Sequence, residues 1–91
     1  MSGKKFVDKC AQKLELPAES FSSAMKITVV SNFRVEIENH KGLIEFSDEI
    51  IGVKGKNTIA MVRGQTLELE AMSDSQMLIC GQINSIDFEV I

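Results

Sequence analysis

The chain has no tryptophan and no tyrosine, and among its 91 residues there are one proline, one histidine and two cysteines. Each shortage excludes something. Without Trp or Tyr, stacking of single-stranded bases would fall to the five phenylalanines, three of which are expected in the core. One His and two Cys fall short of the ligand set of a structural zinc module. Cys10 and Cys80 form no C-x-x-C pair, and two cysteines make no disulfide framework. Both sit in apolar patterns and are expected as reduced thiols that pack like small hydrophobes. No run approaches the ~18–20 apolar residues of a membrane-spanning helix. Lys4 and Lys5 are followed by no apolar stretch of signal-peptide kind. The expected setting is a cytoplasm.

The composition that remains is that of a folded domain. It is 44% hydrophobic and 25% charged, and its length fits one domain. The net charge of −3 is unevenly spread. Residues 1–16 carry four lysines against Asp8 and Glu15, whereas the rest carries six basic and eleven acidic groups. An acidic body binds nucleic acid poorly, because phosphate affinity comes from Lys and Arg.

Hydrophobic spacing divides the chain in two. Phe6, Val7, Cys10, Ala11 and Leu14 recur at helical intervals, with Lys5, Lys9 and Lys13 opposite them. This predicts an amphipathic helix over 1–16, stopped by Pro17. The helix either docks on the rest of the protein or lies on an anionic surface or partner. Residues 17–24 read as a linker.

From residue 25 the period becomes two. Phe33, Val35 and Ile37 alternate with Arg34, Glu36 and Glu38; Leu67, Leu69 and Ala71 alternate with Glu68 and Glu70; Ile86, Phe88 and Val90 alternate with Asp87 and Glu89. The segment 58–63 is apolar on both sides and is expected to be central. About eight short strands result, with polar or glycine breaks that include Ser31-Asn32, Asn39–Gly42, Ser47-Asp48, Gly55–Asn57, Arg63–Gln65 and Ser73–Ser75. The expected fold is mainly β: one antiparallel meander or rolled sheet over 25–91, with one N-terminal helix. Phe33, Phe46 and Phe88 lie on apolar strand faces and are expected in the core.

Few residues offer chemistry. His40 stands in an expected hairpin turn, without the second ligand a metal needs or the nucleophile a catalytic His needs. The stretch 52–57 contains G-x-x-G and Gly-Lys, but lacks the spacing and the Ser/Thr of a phosphate loop and reads as a hairpin turn. Glu36, Glu38, Glu45, Glu68, Glu70, Asp87 and Glu89 alternate with apolar residues, as solvated strand faces do, rather than converging as an acid–base pair would. No G-x-S-x-G is present. No catalytic residue, cofactor or metal is expected. Arg34, Lys54, Lys56 and Arg63 would form a basic rim if their turns cluster, which with the N-terminal lysines gives an alternative reading as a nucleic-acid or anionic-surface binder.

A resemblance adds to these readings. Ile37-Glu38-Asn39-His40-Lys41-Gly42, followed by Ile44-Glu45-Phe46, resembles the I-E-N-H-R/K-G signature of the YabP/YqfC sporulation proteins. Leu14-Glu15-Leu16-Pro17, Ile27-Thr28, Val62-Arg63-Gly64-Gln65-Thr66-Leu67-Glu68-Leu69 and Ile79-Cys80-Gly81-Gln82-Ile83-Asn84-Ser85-Ile86 resemble further elements of that family in order. Met25-Lys26 departs from the Pro-Arg expected there. The resemblance implies a non-enzymatic protein of the mother-cell compartment in a spore-forming bacterium. Its implied partners are other sporulation proteins, some at membranes. Self-association is a further expectation, through exposed sheet edges. Asn39, His40, Lys41 and Gly42, as an exposed loop, are the candidate partner contact.

Overall fold

The computed structural model describes residues 23–91. The expected helix over 1–16 and most of the linker over 17–24 lie outside them. The described residues form a six-stranded antiparallel sheet: β1 (Lys26–Val30), β2 (Arg34–Glu38), β3 (Gly42–Phe46), β4 (Ile50–Gly55), β5 (Thr58–Met72) and β6 (Gln76–Val90), in the spatial order β1-β2-β6-β5-β4-β3. The mainly-β expectation holds. The count of eight strands does not, because the four strands expected beyond residue 57 are two.

The reason lies at Arg63–Gln65 and around Gly81. Arg63–Gln65 looks like a turn in sequence and the alternation lapses between Gly81 and Ile86, but both places are bulges inside two 15-residue strands. The β5–β6 register slips at Arg63/Gly64, Gln65/Glu68 and Leu69/Ala71. Each slip bends the hairpin and strengthens its twist. Gly64 is required there, because a Cβ would collide with the carbonyl oxygen of Gln82. Gly81 is required twice over: its φ is +138°, and a Cβ would lie 2.6 Å from the carbonyl oxygen of Thr66.

The bent hairpin carries a smaller hairpin on each half. β2 pairs with the first half of β6 (Val35↔Ile79, Ile37↔Met77) and bears β1. β4 pairs with the first half of β5 (Ile51↔Val62, Val53↔Ala60) and bears β3. Segment 58–63 is therefore central, as its two apolar faces require. The core forms where the halves meet. Val35, Ile37, Met77 and Ile79 from one half pack with Ile51, Val53 and Val62 from the other. Met25 at the head of β1 presses on Gly55 at the end of β4, which closes one end of the fold. Burying such side chains contributes roughly 1.5–3 kcal/mol each, before conformational entropy is charged against it.

Candidate functional site

The segment Asn39–Gly42 is not a hairpin tip. β2 and β3 do not pair; they lie in different halves of the sheet, and residues 39–41 cross between them. The backbone N–H of Asn39 donates to Ser75 O at 2.7 Å, and that of Lys41 to Lys54 O at 2.6 Å. The crossover is thus stitched to both halves. Asn39, in the left-handed region at φ 64°, also donates through Nδ2 to Ala24 O at 3.2 Å.

His40, expected at an exposed turn, is only 4% exposed. Its Nε2 lies 3.0 Å from Ser73 O and 3.3 Å from Gln76 O. Carbonyls only accept, so Nε2 carries the hydrogen and donates to the β5–β6 turn. Its Nδ1 is buried with no hydrogen-bond partner. The ring is a strut between the crossover and that turn. Of the four expected contact residues, Lys41 and Asn39 remain exposed, Gly42 is half-buried and His40 is inaccessible.

The basic rim is dispersed. Arg34 belongs to the β1–β2 half, where it faces Glu36 at 3.6 Å. Arg63 belongs to the other half, where it binds Asp87 at 3.2 Å. Lys54 stands on β4, and Lys56 donates to Ser23 Oγ at 3.2 Å. Among the described residues, no group of three or more His, Cys, Asp or Glu is arranged to hold a metal ion, and no helix is long and apolar enough to cross a membrane.

The outer face of the β1–β2 half holds an open groove of about 430 Å³, lined by Thr28, Glu36, Glu38, Met72 and Leu78 among others. Above it, Cys80 donates its thiol hydrogen to Glu70 Oε2 at 2.7 Å. That bond, then partial burial and the carboxylate's charge, raise the thiol's pKa above its ordinary value.

The three phenylalanines expected in the core are not there. Phe33, Phe46 and Phe88 are each more than half exposed. Phe33 falls in the β1–β2 turn, and Phe46 ends the edge strand β3. Phe88 sits opposite the buried Ala60, on the core face, but beyond the area the other half covers. It is 61% exposed, and Val90 beside it 89%.

Among the described residues, nothing pairs with the ladder edge at this point. On that side of β6, hydrogen bonds from Gly81 N to Phe33 O and from Ile83 N to Asn32 O are the last ones before the β1–β2 hairpin ends. From Asn84 to Val90, β6 pairs only with β5 among the described residues. Glu89 O accepts from Thr58 Oγ1 and Ile91 N donates to Asn57 O, so odd residues here face β5. The main-chain groups of Ile86, Phe88 and Val90 therefore face outward. Their alternation with Asp87 and Glu89 is plain in the sequence. That no described strand lies beside them is a property of the topology.

The described residues thus form a small, bent, antiparallel β fold in which the second half of β6 pairs on one side. The model of the YabP family matches residues 22–90, and the chain belongs to that family. It is 27% identical over 75 residues to the uncharacterized protein YqfC of Bacillus subtilis (strain 168), covering 82% of this chain and 81% of that protein. No solved structure matches it.

Proposed function

We propose that this chain is a non-enzymatic assembly module that acts in endospore formation, in the mother-cell compartment, where it joins other proteins that build the spore envelope. Family membership supports the setting. The molecular half rests on one observation: among the described residues the edge of β6 over 84–90 is unpaired, and it carries the exposed Phe88 and Val90. An exposed edge with an apolar face invites an added strand, and proteins that do not use such an edge blunt or cover it. Main-chain hydrogen bonds give such a contact its affinity, and alternating side chains give it selectivity.

The test is a chromosomal Phe88→Glu replacement in the native host. The side chain is exposed, so the variant is expected to accumulate normally, while heat-resistant spores fall well below the wild-type count. Wild-type spore numbers with an inert edge would refute the assembly role.

A further inference from the structure

We infer that the partner of the β6 edge is β1 of a second copy of this chain, added antiparallel with Ile27 opposite Phe88. This rests on the reading of that edge as an assembly surface and supplies its occupant.

β1 is the other strand that ends the sheet on this side. Val30 O accepts from Phe33 N inside the hairpin, and Ala24 O accepts from Asn39, so even residues of β1 face β2. The main-chain groups of Ile27 and Val29 then face outward. They meet the outward groups of β6 in register: Ile27 with Phe88, and Val29 with Ile86. Side chains match on both faces. Ile27 and Val29 lie on the core face, opposite Ile37 and Val35; Ile86 and Phe88 lie on the core face, opposite Val62 and Ala60. On the other face, Lys26 comes opposite Glu89, and Thr28 opposite Asp87.

Charge selects this pairing. When two β6 edges join with their outward groups aligned, Asp87 meets either Glu89 or the second Asp87, and like charges directly opposite are destabilising. Two β1 edges meet without a carboxylate on either strand. Of the pairings these two edges allow, only β1 against β6 sets an ammonium against an acid. The Lys26 side chain is 71% exposed and holds Glu38 loosely at 3.7 Å, so it is able to reach a second carboxylate.

Each copy uses two different edges, so the contact either closes reciprocally about a two-fold axis or runs head-to-tail. The reciprocal form is a closed dimer with two ladders, and the head-to-tail form builds rings or open filaments. A five-residue ladder is a small interface, so assembly grows with local concentration.

Sedimentation velocity of the full chain over a concentration series tests the pairing, with thermal melts as the check on folding. Association is expected in the wild type. Lys26→Glu and Glu89→Lys are each expected to weaken it about tenfold, and the double exchange to restore it. Val29→Glu blocks one edge and Phe88→Glu the other. Each is expected to be monomeric alone, and their mixture to form a one-to-one dimer and nothing larger. Wild-type monomers at every concentration overturn the inference. So does association that survives Phe88→Glu, which is the mark of β1 joining β1, or Val29→Glu, the mark of β6 joining β6. The assembly role itself is decided separately, by the spore count.

Discussion

Nε2 of His40 lies 3.0 Å from the carbonyl oxygen of Ser73, 33 residues further along the chain. This bond ties the β2–β3 crossover to the tip of the long hairpin. It also places the one histidine of the sequence inside the protein. The resemblance motif that contains His40 is, in three dimensions, an architectural joint.

Removing the ring is therefore expected to weaken the whole fold. His40→Ala loses the bond to the turn and leaves a cavity, at a cost of about 2–3 kcal/mol. Thermal denaturation followed by circular dichroism should show Tm lowered by roughly 10 °C or more. An unchanged melt would mean that the crossover holds without its strut.

The bend of the hairpin makes a second demand. Gly64→Ala would set a methyl group against the Gln82 carbonyl, and Gly81→Ala against that of Thr66. Neither obstacle is a side chain that can swing aside, so each substitution is expected to cost about 3 kcal/mol or more. Gly42→Ala is the control. Its φ of +143° strains an alanine, but the space around it is open, so its loss should be distinctly smaller in the same urea titrations.

Thr66 is strained in the native protein. It holds φ at 54° beside Gly81, in the bulge, and a β-branched residue is poorly suited to the left-handed region. Thr66→Gly is expected to stabilise the fold by roughly 1 kcal/mol. An increase in the urea midpoint with unchanged slope would register it.

The Cys80–Glu70 contact makes the thiol slow to ionise. Its raised pKa means that folding favours the protonated thiol. The resulting stabilisation is complete at neutral pH and is lost as pH climbs through the raised value. In a Cys10→Ser background, alkylation by iodoacetamide should be slow at pH 8, with a pH midpoint above that of a free cysteine. Glu70→Gln removes the charge and should speed the reaction at pH 8 and lower that midpoint. Equal rates in both proteins would show that the carboxylate does not control the thiol.

Much of the architecture was legible along the chain. Alternation from Ile27 to Val90 marked strands, because a pleated backbone turns successive side chains to opposite faces. The double-sided pattern of 58–63 marked a central strand, and Gly55–Asn57 a tight turn. Arg63-Gly64-Gln65 misled, because a glycine with polar neighbours serves a bulge as well as a turn. Asn39–Gly42 misled for a related reason: the residues that turn a hairpin also suit a crossover.

Local pattern, then, determined which residues form strands and which face of each is apolar. Which strands are neighbours was decided only by tertiary structure, since pairing β2 with β6 spans some 40 residues of intervening chain. From that pairing follow the burial of His40, the exposure of Phe88 and, among the described residues, the free edge of β6. Burial depends on what lies opposite a side chain in space. A repeat of two residues tells where that side chain points, but not whether another strand arrives to cover it.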